Sequence, residues 1–439
     1  MRVQRSDFIR VVATLLYAGG YHFAYATYLN PIFEYAYYRL ANRTWPEWIF
    51  TYLLALLPAL WQRGSGAVYA GVSLIYLLLY VPALITMCAM WEGSFASYAL
   101  VALSLFIGQF IIQTAIPVRT AWSAGSQLLF RARVRNTVFA LAVVSAVVFI
   151  FENRAHMQFV DFQDVYDLRF ASRDSGSVLS GYLSMWLLGV CIPYFLALAV
   201  TSRSLVWGLF AVGCSVVLYM GNGAKSALLM PVQGLIVGWI ASRNKNTTAA
   251  LAGWLAPCVC LLALIESEWL GIPKSLVLMR LLSTGGWTMT TYYEFFSTHG
   301  FTHYTSVGPV GALFGRAYDR EPGQLIGWEY FSSDDANFNA NFWATDGIAA
   351  LGVPGVILAS LLMALVLRAF FDASKGLEQR GAAILFAGLW LSVLNGSIFT
   401  SMLSGGGFLL LALIWFAKMG IRKRGASATT LGEARAVRL

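Results

Sequence analysis

Charge is what this sequence has least of. Only 12% of its 439 residues are Asp, Glu, Lys or Arg, against 58% apolar, and a typical soluble domain carries roughly 25% charged residues. A water-soluble fold of this size must cover itself with polar groups, so the composition excludes one and makes the bilayer the natural solvent. Paired cysteines are also missing. Cys88, Cys191, Cys214, Cys258 and Cys260 all lie in apolar stretches and form no C-x-x-C pair, which excludes a disulfide framework and reads as small buried hydrophobes. No internal repeat relates the two halves, which counts against transporter folds built from repeated halves. No small-x-small cleavage site follows the first apolar segment, so that segment reads as an uncleaved signal anchor.

What is present is a series of apolar runs. A spanning helix needs about 20 mostly apolar residues, and runs of that kind fall near 8–29, 46–62, 67–90, 96–117, 136–151, 179–200, 204–221, 226–242, 249–268, 343–368, 382–400 and 403–420. The expected fold is therefore all-α, a polytopic membrane protein of about twelve transmembrane helices forming one membrane domain over 1–439. Aromatic residues, 15% of the chain, gather near the ends of these runs, as Trp and Tyr do at membrane interfaces.

Lys and Arg set the orientation. Arg2, Arg5, Arg10, Arg63, Arg119, Arg131, Arg133, Arg135, Arg203, Arg243, Lys245, Arg368, Lys375, Arg380 and Lys418 fall on alternate connections with the N-terminus, while most acidic residues fall on the other side. Both termini are then cytoplasmic and the chain sits in a bacterial inner membrane. The basic balance of +9 reflects this orientation, and no nucleic-acid partner is expected. Two connections on the periplasmic side are long, 152–178 and 269–342, and are expected to hold short helices. The tail 421–439 has the composition of an unstructured segment. Cytoplasmic connections are too short to house a nucleotide-binding domain, so any chemistry belongs to the outer face and runs without nucleotide-activated donors.

The residues that suit chemistry lie in and beside the long outer segments. The first carries Tyr166, Asp167, Arg169, Arg173 and Asp174 ahead of Gly181-Tyr182. These read either as a surface Arg–Asp pair on an interfacial helix or as arginines gripping an anionic headgroup, since a guanidinium fork matches phosphate. Gly221-Asn222-Gly223-Ala224-Lys225-Ser226 lacks the glycine before lysine that a phosphate-binding P-loop needs. It does place Lys225 at a helix N-terminus, where an anion is favoured; a lysine facing lipid phosphate is the plain alternative. The second segment holds Lys274, Arg280, Tyr292 and Glu294, then His299 and His303 at i, i+4. Gly300 between the histidines weakens a shared helix, and no H-E-x-x-H glutamate accompanies them. They read as ordinary loop histidines, as a base or as metal ligands, in that order. Asp334-Asp335 and Asn337, Asn339 and Asn341 suit a helix cap, sugar hydroxyls or oxygen ligation of a divalent ion. Asp346 lies just inside a span, where an ionisable group is a functional suspect. Trp287, Trp328 and Trp343 suit sugar stacking or the membrane belt.

This layout resembles the Wzy-type O-antigen and exopolysaccharide repeat-unit polymerases, over most of the chain. The resemblance rests on the helix number, Arg169 before Gly181-Tyr182, the G-N-G-A-K-S turn, Arg280 through Phe296, and the polar run from Asn339 into Ala349, Gly352 and Gly355. Family members often place a glycine at a set interval after each loop arginine. Here eleven residues separate Arg169 from Gly181, and Arg280 has no glycine at the matching place. The resemblance implies polymerisation of undecaprenyl-pyrophosphate-linked oligosaccharide repeat units, by glycosyl transfer from one carrier to the non-reducing end of another on the periplasmic face. It implies no cofactor and no metal, and a Wzz-like chain-length regulator as partner. On this reading Arg169, Arg173, Lys225 and Arg280 hold pyrophosphate. His299, His303, Glu294 and Asp335 are the candidate bases, and Tyr166, Tyr292, Asn337 and Asn339 contact glycan. The alternatives are an O-antigen ligase and a lipid-linked glycan transporter.

Overall fold

The computed structural model describes residues 5–62, 64–117, 130–160, 165, 168–169, 172, 176–243, 246–333, 336–338 and 342–418. Tyr166, Arg173, Asp335, Asn339 and the 421–439 tail lie outside the described residues. Among those described, the regular structure is helical and no strand forms. In chain order the main helices are α1 (Arg5–Ala24), α2 (Trp45–Leu60), α3 (Ala67–Met90), α4 (Phe95–Thr114), α5 (Ala132–Asn153), α6 (Val178–Ser202), α7 (Leu205–Asn222), α8 (Lys225–Ser242) and α9 (Thr247–Leu264). They continue with α10 (Thr284–His299), α11 (Gly308–Phe314), α12 (Pro322–Phe331), α13 (Trp343–Leu351), α14 (Val353–Ser374), α15 (Gln379–Asn395) and α16 (Ile398–Lys418). Nine of these, α3 to α9, α14 and α16, are long and apolar enough to cross a membrane. The chain is a polytopic membrane protein.

The nine differ from the expected twelve for local reasons. α1 carries Asp7 and Arg10 in its first turns, held as a buried ion pair, with Arg10 Nε donating to the Ala59 carbonyl at 2.9 Å. α2 and α15 are shorter than a full span. The apolar run 343–368 is not one helix. Gly352 takes a positive φ of +66°, and the chain folds back there, α13 onto the first turn of α14. A Cβ on Gly347 would lie 2.2 Å from the Gly355 carbonyl oxygen, so only glycines permit this approach. Asp346 therefore belongs to a short helix, where its carboxylate accepts from the Ile398 N–H at 3.0 Å and caps the start of α16. Asp346→Ala is expected to lower stability by about 1 kcal/mol, the usual loss on deleting a cap. Asp346→Asn should retain most of it, and thermal unfolding in detergent distinguishes the two.

At three prolines the helices here widen, whereas Pro231 and Pro257 sit inside α8 and α9 without widening. Wide π-helical turns at Tyr25–Leu29, Ile75–Tyr80 and Leu187–Cys191 each run directly into a segment whose second residue is proline: Pro31, Pro82 and Pro193. Proline clashes with the carbonyl four residues back and cannot bond it. A wide turn at that point relieves the clash without ending the helix.

The described residues group into two compact units, 1–120 with 243–368 and 390–400, and 121–242 with 369–389 and 401–439. In the first, α3 is apolar on every side and almost wholly buried, as a helix without a polar face must be. α1 packs on α9, where Gly20 meets Cys260 and the Ala256 carbonyl. α10 packs on α3, Gly286 lying against Thr86 and the Ala83 carbonyl. α10 fits there because threonines dominate it: Thr288, Thr290 and Thr291 are buried and each donates to a carbonyl of the preceding turn. In the second unit α5, α6 and α7 pack together around Phe139, Phe195, Trp207 and Phe210. The five cysteines are free thiols.

Candidate functional site

The second unit contains a cavity of about 360 Å³ lined by Phe149, Asn153, Arg169, Ser172, Gly176, Ser177, Ser180, Gly181, Ser184, Asn222 and Ala224. Its volume falls in the range of ligand pockets, about 300–1,000 Å³, and its lining is mostly hydroxyl and amide. Each wall has a local cause. Ser177 caps α6, its Oγ accepting from Ser180 N–H at 3.2 Å. Glu152 at the end of α5 accepts from both the Ser177 N–H and hydroxyl, at 2.9 and 2.7 Å. Ser172 donates to Asn153 Oδ1 at 2.8 Å. Opposite, Gly223 ends α7 with φ +61°, Asn222 Oδ1 accepts from the Ala224 N–H at 2.9 Å, and α8 begins at Lys225. A Cβ on Gly223 would strike Val165, so the turn must be glycine to admit the loop above it.

Arg169 projects into this cavity from the loop, and Lys225 is close enough to feel its charge. Two like charges brought together favour an anion between them, and the start of α8 adds N–H groups and the positive end of its dipole. The lysine and the arginine that sequence reasoning nominated thus converge. Ser177, Ser180 and Ser184 escaped that reading although their spacing puts them on one face of α6; that periodicity was the available signal.

Arg280, Glu294, His299, His303, Tyr292 and Asn337 belong to the first unit. Arg280 is exposed and acts on the buried Tyr38 hydroxyl, which bonds Thr284. Nearby in sequence, Lys274 is buried, with its ammonium 5.0 Å from the Tyr28 ring; sequence reasoning named this cation but gave it no role. Tyr292 is fully buried and its hydroxyl donates to the Phe338 carbonyl at 3.1 Å. That placement corrects the expectation that Tyr292 meets glycan: its ring is core. Trp287 and Trp343 are likewise interior, donating to the Ala36 carbonyl and to Ser360 Oγ. Trp328 remains 47% exposed, and Asn337 is exposed on a strip of chain that lies along α12.

The histidines do not share a helix face. α10 stops at His299 because Gly300 takes φ +104°, and His303 sits in a left-handed turn at φ 50°. His299 stacks on Phe295 at 4.4 Å and its Nδ1 lies 3.0 Å from the Phe295 carbonyl. Among the described residues no group of three His, Cys, Asp or Glu converges as metal ligands do.

No family model, curated protein or solved structure matches this chain.

Glu294 is an acid outside the spans whose carboxyl is shifted by burial. It is half-buried on α10, accepts from the Tyr330 hydroxyl at 2.7 Å, and stands near the Arg39–Glu92 ion pair. Burial pushes its carboxyl above the ordinary value of 4.5; Glu92 adds to this, while the Tyr330 hydrogen bond and Arg39 oppose it. Folded, Glu294 holds its proton more tightly than unfolded. As pH rises above the ordinary value the unfolded chain ionises first, so stability present below that pH is lost up to the raised folded pKa. Glu294→Gln is expected to flatten this decline, read as the slope of melting temperature against pH from 4.5 upward.

Proposed function

We propose that the protein is a lipid-linked glycan polymerase: it transfers a glycan from one undecaprenyl pyrophosphate carrier to the non-reducing end of another, on the periplasmic face. The observation that carries this reading is the cavity that Arg169 lines together with serines and asparagines, with Lys225 close enough beside it to feel the arginine's charge. Cations suit a pyrophosphate, and hydroxyl and amide groups suit the sugar next to it. The apolar composition, which suits a membrane protein, is compatible with a donor carried by lipid.

In this mechanism the acceptor hydroxyl attacks the anomeric carbon of the donor glycan. The carbon–oxygen bond to pyrophosphate breaks, and the electron pair leaves with the phosphate. Arg169 and Lys225 stabilise that developing charge, the kind of term that dominates such reactions. The hydroxyl proton passes to a base; His299, His303, Glu294 and Asp335 are the candidates the sequence offers for it, and Arg173 is a further candidate cation by sequence alone. His299 and His303 are exposed, whereas Glu294 is biased to keep its proton.

The test uses purified full-length protein with carrier-linked repeat units from its host, without nucleotide sugar. A ladder of longer glycans supports the proposal. Transfer only onto added lipid A core would replace it with a ligase. Carrier movement across a liposome membrane without any product would replace it with a transporter.

A further inference from the structure

The loop between α10 and α12 exposes large apolar side chains that belong to no span. At the end of α11, in the run Gly-Pro-Val-Gly-Ala-Leu-Phe, Leu313 is 79% and Phe314 80% exposed. The loop is closed at its base: Ala317 N–H donates to Thr305 Oγ1 at 3.0 Å, and a Cβ on Gly311 would lie 2.4 Å from the Thr305 carbonyl oxygen. α11 therefore lies tight against the base, and its last two side chains point outward.

The base is rooted where spans begin. Thr302 and His303 donate their N–H groups to the carbonyls of Ala349 and Ala350, at 2.9 and 3.0 Å, in the last turn of α13. The Phe301 ring fills the space beside Gly352, the residue before span α14. The Tyr304 ring meets Phe399, in the first turn of span α16, at 5.8 Å. The first turn of a span marks the hydrocarbon boundary. Arg316, bonded to Glu321 at 3.1 Å, and Arg320, 4.6 Å over the Trp328 ring, follow the apolar tip directly.

We propose that Leu313 and Phe314 insert into the boundary between headgroups and acyl chains, making this loop an interfacial anchor. The occupant is phospholipid: the root fixes the loop at membrane level, and guanidinium and indole groups beside the tip suit headgroup phosphates and the interface. Insertion of such apolar groups reaches about 5–10 Å into the boundary. The inference stands apart from the polymerase reading.

The test places trifluoromethylphenylalanine at Phe314 of the full chain, in nanodiscs of phosphatidylethanolamine and phosphatidylglycerol, and follows the fluorine line by NMR. The same reporter at Leu365, 67% exposed on α14, gives the lipid-facing reference, and at the exposed Asp319 the aqueous one. The proposal expects broadening by phospholipid carrying a nitroxide near the headgroup end of its chain, as at Leu365, and little by an aqueous nickel chelate. Broadening by nickel alone, as at Asp319, would overturn it. Insensitivity to both agents would overturn it too, since it would mean that protein covers the tip.

Discussion

Arg169→Ala is expected to cut glycan polymerisation by about 10²–10³-fold, the loss typical when one group that stabilises developing negative charge is removed. The effect should fall on kcat, because the charge on the leaving pyrophosphate is greatest as the bond breaks. Arg169→Lys restores the charge without the two-pronged donor and should recover only part of the rate. Lys225→Ala should act similarly, and the double variant should be little worse than either single one, because both cations serve one phosphate group. A readout that needs no turnover runs beside this: inorganic pyrophosphate should raise the melting temperature of the wild-type chain and not that of Arg169→Ala. Polymerisation within twofold of wild type for Arg169→Ala, together with an unchanged pyrophosphate shift, would remove the cavity from the mechanism.

The largest structural effect is expected at Gly388. In the second unit three backbones meet without side chains between them. A Cβ on Gly388 would lie 2.1 Å from the Gly189 carbonyl oxygen, and one on Gly189 would lie 2.4 Å from that of Gly405. Helices in lipid gain little from hydrophobicity and depend on such close approach. Overpacking costs about 1–3 kcal/mol when side chains can yield. Here backbone must yield, so Gly388→Val should exceed that range and abolish a monodisperse peak in detergent size-exclusion chromatography. Gly213→Val is the matched control: that position, on α7 of the same unit, has nothing within 4 Å of an added Cβ, so the variant should behave as wild type. Equal behaviour of the two variants would show that the glycine layer is not what holds these segments together.

Most spans were legible because lipid demands long, nearly uncharged runs, and such runs have few other uses. The errors arose where one residue overrides a run. Leu351-Gly352-Val353 reads as continuous hydrophobicity, yet the positive φ of Gly352 breaks the helix there. Asn395-Gly396-Ser397 interrupts the next run: one helix ends at Asn395 and the next begins at Ile398. The candidate site was legible in part. Lys225 at a helix start follows from Gly223 ahead of it, and the loop arginine stood out by charge. Their approach was not readable, because it depends on how Val165 seats against Gly223, which is tertiary packing. Tyr292 misled for the opposite reason: a tyrosine in a polar stretch resembles a sugar platform, and only the packing of α10 on α3 reveals it as core. The Glu294–Tyr330 pair joins residues 36 apart, beyond any local pattern.

The wide turns before Pro31, Pro82 and Pro193 also bear on how such a chain can change over generations. Each wide turn accommodates one residue more than a regular helix would. Deleting that residue lets the helix close to its ordinary pitch, and because the turn had absorbed the extra residue, the side chains beyond it keep the faces they had. In a regular stretch of span the same deletion would rotate everything beyond it by about 100° and exchange the side chains facing lipid for those facing protein. These three positions are where the loss of a single codon can be absorbed without refacing half a helix.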